Sequence, residues 1–374
     1  MECMKVKRNV LLNPGPATTT DTVKLAQIVP DICPRETEFG DIMRSLSHDL
    51  VRVVHGENDD YVAVLFCGSG TIGIDVALNS LLPEESKVLI VNNGAYSTRG
   101  VQVCQYYGLP YVELKLPIDR PVDVKLVDEA LSKDDSIKLV YTTHHETGTG
   151  VLNPISEIGR VTHEHGAVFI TDTTSSFAMI PINVVDQNID VCMASAQKGI
   201  QGMTGLSYLI CKRDVVLASA KYPKRSYYCN LFRQYDYFEK TGQMHFTPPV
   251  QVIYAARQGL KEYFEEGERT KWERHKAVAA RIHAGLASLG LREAIAPDYQ
   301  SQLVVSVHYP TTQSWDFDRV HDYCYERGYT IYPGKIEGTD TFRLCSLGAI
   351  YPEDIDNFFA VLSEAFNDLG VVVE

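Results

Sequence analysis

Two residues, Asp172 and Lys198, have the types and the spacing to do chemistry together. Asp172 ends the apolar, β-branched run 168–171, and four hydroxyl residues, 173–176, follow it. Such a run reads as a buried strand. An acid at its carboxyl end lies where an open α/β sheet gathers its ligand chemistry. Lys198 follows a second apolar stretch, 189–194, within Ser195-Ala-Gln-Lys-Gly-Ile-Gln-Gly202, among small and flexible residues. A lysine on such a loop can form a Schiff base, and an aspartate can keep a pyridine nitrogen protonated. Those are the two groups that pyridoxal phosphate chemistry requires. Loop lysines and aspartates are more often solvated surface groups, so the pair gains weight only from what else converges on it.

Four other motifs offer chemistry. Cys67-Gly-Ser-Gly-Thr71 joins an apolar run to a helical pattern. A Gly-Ser-Gly turn opening a helix presents unpaired N–H groups and the positive dipole end to an anion. It lacks the Gly-Lys-Ser/Thr of nucleotide-binding loops and the acid of a dinucleotide fingerprint. A monophosphate cradle fits it, and so does a tight turn with no ligand. Tyr96, just past the run 87–91, can stack on a planar ring or simply pack. Asn13-Pro-Gly-Pro16 is a turn that either lines a site with backbone N–H groups or only redirects the chain. Arg343 lies between Phe342 and Leu344 on a short strand pattern, 341–345, and so points away from their packed face. Its guanidinium fork suits a carboxylate or phosphonate, or a structural ion pair. In the second case an anion site would have to be sought at Arg99 or along 222–233. His144 and His145 look like metal ligands, but no third ligand has suitable spacing, so no metal is expected.

The elements that must position these groups follow from pattern and composition. A chain of 374 residues exceeds one ordinary core and suggests a large α/β domain with a smaller one. A net charge of −13 speaks against nucleic acid and anionic membranes as partners. No apolar run approaches the ~20 residues that span a bilayer, and the charged start, residues 1–8, does not read as a signal peptide. Nine scattered cysteines, never paired as Cys-x-x-Cys, fit a reduced, cytoplasmic protein. Strand and helix patterns alternate from 61 to 210, which predicts a parallel sheet with right-handed crossovers. The stretch 222–243 is aromatic and basic with little periodicity and reads as a loop crossing a site or a subunit interface. A long helical pattern then runs to 289 with a break near Gly267, and a small α/β region closes the chain.

Taken in order, Asn13-Pro-Gly-Pro16, Gly68-Ser-Gly70, Asn93-Gly-Ala-Tyr96, His144-x-Glu-Thr147, Asp172-x-x-Ser-Ser176, Ser195-Ala-Gln-Lys-Gly199 and Phe342-Arg-Leu344 resemble the class V branch of fold-type I pyridoxal-phosphate aminotransferases. The resemblance covers residues 7–369. Within that branch it runs to the members that move an amino group from 2-aminoethylphosphonate to pyruvate, with serine– and alanine–glyoxylate aminotransferases, or a related class V enzyme such as a lyase, as the alternative. Cys345-Ser-Leu-Gly348 departs from the Gly-Asn-Ile-Gly-like version of some members. The implied architecture is an α/β fold: a large domain with a mostly parallel seven-stranded sheet, and a small α/β C-terminal domain. Its expected division is 1–20, a segment contributing to the active site, 21–255, the cofactor-binding domain, and 256–374, the small domain.

The resemblance also implies roles. Lys198 is the Schiff-base lysine and carries the proton between Cα and C4′, while Asp172 pairs with the pyridine nitrogen. Tyr96 stacks on the ring and Thr147 bonds the 3-oxygen. Ser69, Gly70 and Thr71 hold the phosphate, Thr174 also contacts the cofactor, and Gln197 lies beside the lysine. Thr247 reaches the phosphate of the neighbouring subunit's cofactor, which implies a homodimer with shared active sites. Arg343 grips the substrate's carboxylate or phosphonate, assisted by the backbone at Gly15.

Overall fold

The computed structural model describes residues 6–373. Most of the charged start, residues 1–5, lies outside that range, so the reading of a missing signal peptide rests on sequence there. The chain opens with β1 (Val10–Leu11), α1 (Asp21–Leu25) and α2 (Thr37–Arg52). Thr20 caps α1, its hydroxyl accepting from Val23 N at 3.3 Å. The alternation then runs β2 (Tyr61–Gly68), α3 (Thr71–Leu81), β3 (Lys87–Asn92), α4 (Thr98–Tyr107), β4 (Tyr111–Lys115), α5 (Val124–Lys133) and β5 (Ile137–Thr143). A two-residue hairpin pair, β6 (His145–Glu146) and β7 (Val151–Leu152), precedes α6 (Ile155–Glu164). Next come β8 (Val168–Asp172), β9 (Val191–Ser195) and β10 (Gly205–Lys212).

Seven of these strands form one sheet in the order β2-β10-β9-β8-β5-β3-β4. Alternate residues of its central strands feed two separate apolar layers, as the period of two requires. Val140, Phe169 and Cys192 face a layer built from α2, α5 and α6. Leu139, Ile170 and Val191 face the other, with residues of α3 and α4. Burial on both faces explains why these strands read as unbroken apolar runs. The alternation alone predicts a parallel sheet, but β10 runs antiparallel to both β2 and β9, so the sheet is mixed, and mostly parallel as the resemblance implies. The reason is chain length. A parallel return needs a crossover of a dozen or more residues, usually helical, and the connection 196–204 holds no helix.

The stretch 222–243 is the second correction. After α7 (Arg213–Ala218) it forms α8 (Leu231–Thr241) rather than a continuous loop. Asn230 caps its start by accepting from Arg233 N at 2.8 Å, and Gly242, with φ 69°, stops it. Its buried face is Leu231, Gln234 and Tyr235, of which only Leu231 and Tyr235 are apolar. Two residues among aromatic and basic neighbours are too few for periodicity to register. The long helical pattern divides where expected, into α9 (Val250–Glu266) and α10 (Glu268–Ser288), on Gly267 at φ 80°.

The remainder comprises β11 (Val304–His308), α11 (Phe317–Glu326), β12 (Tyr329–Thr330), β13 (Tyr332–Pro333), β14 (Thr341–Cys345) and α12 (Pro352–Leu369). An antiparallel sheet, β11-β14-β13, packs with α10, α11 and α12 around a core of its own. β1 joins that region by pairing in parallel with β12, which carries the Pro14-Gly15 turn across to the large sheet. Among the described residues no helix is long and apolar enough to cross a membrane.

Candidate active site

Because β10 is the one strand of the seven-stranded sheet, among the described residues, that runs against its neighbours, the carboxyl ends of β2, β3, β5, β8 and β9 share one edge with the start of β10. A cavity of about 310 Å³ lies off that edge, closed on its far side by β13 and β14. Gly15, Ser69, Gly70, Thr71, Tyr96, Thr147, Asp172, Thr174, Gln197, Lys198 and Arg343 all line it. Thr247 does not: it is exposed in the connection before α9, away from the lining of this cavity.

Asp172 is the last residue of β8 and is buried, with Oδ1 accepting from Thr174 N at 2.8 Å. Lys198 is buried in the connection after β9. Burial, foremost, lowers its ammonium to about 8; Arg99 and Arg343 push the same way and Asp172 opposes them. That leaves an amine with an appreciable neutral fraction near neutrality, as a nucleophile or base needs. Gly15 holds the opposite wall at φ 133°, where a Cβ would sit 3.0 Å from Lys198 Cε. Behind the lysine, Lys271 of α10 donates to Gly199 O at 2.6 Å, and burial lowers its own ammonium to about 7.

The turn after β2 has the character of an anion cradle. No side chain caps the start of α3 among the described residues. The side-chain oxygens of Thr174, Ser195 and Gln197 are buried without a partner there. Gly70 is held small, since a Cβ would lie 3.0 Å from Thr174 Cγ2 and 3.1 Å from Ser195 Oγ. Buried polar atoms in native folds rarely lack partners, so these residues fit a phosphate-bearing group seated at a helix N-terminus.

Tyr96 is fixed from beneath by Glu146, a fully buried carboxylate accepting from Tyr96 N at 3.0 Å and Ser97 N at 3.1 Å. Burial raises the Glu146 carboxyl, and these backbone N–H groups limit the rise. Three cations surround the Tyr96 ring: Arg99 Cζ lies 4.6 Å, Lys335 Nζ 5.4 Å and Lys198 Nζ 5.6 Å from its centroid. Arg99 also donates to Thr71 Oγ1 at 3.2 Å.

Arg343 points off β14 into the cavity while Phe342 and Leu344 pack in the C-terminal core. It is 1% exposed, and its partners are carbonyls. Nε and Nη2 donate to Pro333 O at 3.2 and 2.9 Å, and Nη1 donates to Thr147 O at 3.1 Å. The ion-pair alternative finds no carboxylate among the described residues. The Thr147 hydroxyl donates to Ser175 Oγ at 2.8 Å. His144 and His145 are buried, each with Nδ1 2.9 Å from a serine hydroxyl, Ser176 and Ser175 respectively. Burial pushes both imidazoles down to about 3.

Two residues of the site escape the sequence reading. Lys335 stands just after β13 and Gly334, where no periodicity or motif marks it. Glu146 sits inside His144-x-Glu-Thr147, where the family resemblance implies a role for Thr147 and none for the glutamate.

A seven-stranded sheet with a buried lysine, a buried aspartate and an anion cradle at its strand ends fits the fold-type I aminotransferase fold. The chain belongs to the class V aminotransferase family, whose model matches residues 28–335, and members of that family use pyridoxal 5′-phosphate. It is 36% identical over 366 residues to 2-aminoethylphosphonate–pyruvate transaminase 1 of Cupriavidus pinatubonensis, covering 98% of this chain and 96% of that one. It is 34% identical to the 2-aminoethylphosphonate–pyruvate transaminase of Paraburkholderia phymatum, covering 98% of each. Among solved structures, ureidoglycine–glyoxylate aminotransferase from Bacillus subtilis superposes with a TM-score of 0.89 over 99% of this chain and 96% of that one, at 22% identity.

Proposed function

We propose that this aminotransferase converts 2-aminoethylphosphonate and pyruvate to phosphonoacetaldehyde and alanine, working as a homodimer with shared sites. The observation that carries the reading is Arg343, a buried guanidinium with only carbonyl partners, aimed into the cavity that holds Lys198. Such a cation calls for an anionic substrate group, and both proposed substrates bring one. Full-length similarity to transaminases named for this pair supports the choice of substrates.

Bound pyridoxal phosphate supplies the electron sink that lets an amino group leave one carbon and join another. Lys198 Nζ is its attachment point and then the base that moves the proton at the substrate's Cα. Asp172 keeps a proton on the pyridine nitrogen, and Tyr96 offers a flat face to the ring. Ser69, Gly70, Thr71 and Thr174 would hold the phosphate, Gln197 would flank the lysine, and the Thr147 hydroxyl would serve the 3-oxygen. Thr247, exposed outside its own cavity, serves the site of a second copy. Arg343, with the Gly15 backbone behind the substrate, orients the anionic end. The proposed division of labour gives 1–20 to the site wall, 21–255 to the cofactor and 256–374 to the arginine.

A half-reaction tests the reading. The purified yellow enzyme is mixed with single amino donors, and loss of its visible absorbance is followed. Aminoethylphosphonate and alanine are expected to discharge the colour. Discharge by serine but not by aminoethylphosphonate would move the assignment to the glyoxylate-type members of the family.

A further inference from the structure

We propose that Lys335 is a specificity-determining residue that engages the third oxygen of a phosphonate at the cavity mouth, after Arg343 has taken the other two. The inference rests on the aminoethylphosphonate reading and says what separates a phosphonate from a carboxylate in this site.

The argument begins with donors. A guanidinium has five N–H groups. Arg343 directs three of them at the carbonyls of Pro333 and Thr147. The two that remain match the two oxygens of a planar carboxylate. A phosphonate has a third oxygen and, like a phosphate monoester, close to a second negative charge at neutral pH. Another cation has to meet it.

Three further cations line the cavity: Lys198, Arg99 and Lys335. Lys198 is taken by the amino-transfer chemistry. Arg99 donates to Thr71 Oγ1 at the uncapped start of α3, so its charge serves the cradle end. Lys335 remains, with no ion pair to a carboxylate among the described residues. Burial, then Arg99 and Arg343, lower its ammonium, and the charge of Glu146 opposes them without forming an ion pair.

Its position is tied to the arginine. Pro333, whose carbonyl Arg343 holds through two N–H groups, lies two residues ahead of Lys335. Across the gap a Cβ on Gly148 would lie 3.7 Å from Lys335 Cβ, and the adjacent Thr147 carbonyl is the arginine's other partner. Lys335 and Arg343 therefore flank one turn, between β6 and β7, and face the same space.

Lys335→Gln removes the charge and keeps a polar side chain of similar length. It is expected to raise KM for aminoethylphosphonate about tenfold or more, while KM for pyruvate rises no more than about threefold, as loss of one charged hydrogen bond at a partly exposed site requires. In the parent enzyme the KM for aminoethylphosphonate is expected to fall as pH rises through the second phosphonate ionisation, and in Lys335→Gln that dependence flattens. Lys335→Arg is expected to restore much of the selectivity. Equal rises for both substrates, or no rise, would overturn the proposal. Binding of methylphosphonate and of acetate to the cofactor-loaded enzyme, followed by calorimetry, reads the same preference without turnover. Failure of the parent enzyme to react with aminoethylphosphonate would sink the substrate assignment. Loss of the methylphosphonate preference in Lys335→Gln would still support the lysine's role, and its persistence would refute it.

Discussion

Lys198 and Asp172 share a cavity in which their charges are unevenly supported. The lysine is lowered by burial and by two guanidiniums, and Asp172 is the largest influence that opposes this. Asp172→Asn removes that counter-charge and the group that would hold a proton on the ring nitrogen. Turnover is expected to fall on the order of a hundred- to a thousandfold, as for loss of one preorganised electrostatic contact, with cofactor still bound. Single-turnover kinetics check this; rates near the parent's would mean that another residue faces the nitrogen. Arg343→Lys keeps a charge and loses the fork that spans Pro333 O and Thr147 O. Apparent binding of both aminoethylphosphonate and pyruvate is expected to weaken about ten- to a hundredfold while the visible spectrum stays as it was. A fall in stability alone, with both substrates bound normally, would make Arg343 structural. These residues were legible because each stands at a strand end or between apolar neighbours, where its chemistry has no solvent reason to be. Glu146 was not, because its partners are the backbone N–H groups of Tyr96 and Ser97, about fifty positions away, and no side-chain type announces them.

Elements were read well where periodicity is strong and poorly where direction or a narrow apolar face decides. The pattern of β10 announces a strand, but nothing in it says which way the strand runs; only the short, helix-free connection 196–204 does. That connection also carries Lys198, and it is packed without slack. A Cβ on Gly199 would overlap the carbonyl oxygen of Phe177, and one on Gly259 of α9 would overlap that of Ile200. Gly199→Ala must therefore move backbone on one side or the other. A loss of about 1–3 kcal/mol or more is expected for such overpacking, with weaker cofactor retention, measured by urea unfolding and by the bound absorbance. Unchanged stability would mean that the loop relaxes more freely than its contacts imply.

At the scale of the molecule, Lys271 links α10 to the catalytic loop and gives stability a pH dependence. Its ammonium is lowered from the usual 10.5 to about 7, first by burial. Between those values the unfolded chain binds a proton that the native state has released, so stability rises with pH across that window. Below it the buried charge is carried in full. Lys198 adds a rise of the same sign beginning near 8. Lys271→Met is expected to flatten the increase in urea midpoint between about pH 7 and 10 relative to the parent chain; an undiminished increase would place the titrating group elsewhere. One consequence of the mixed sheet concerns order in time. β2, which supplies the Gly-Ser-Gly turn, lies at the sheet edge and pairs with β10, the last strand of that sheet in the chain. The first strand must wait for the last, and such distant pairings close slowly because the intervening loop loses its entropy before the contact forms. The arginine arrives later still, on β14. The strand ends of the proposed cofactor site are thus synthesised before the proposed substrate end, and a chain stalled between β10 and β14 lacks Arg343, the residue proposed to receive the substrate's anionic group.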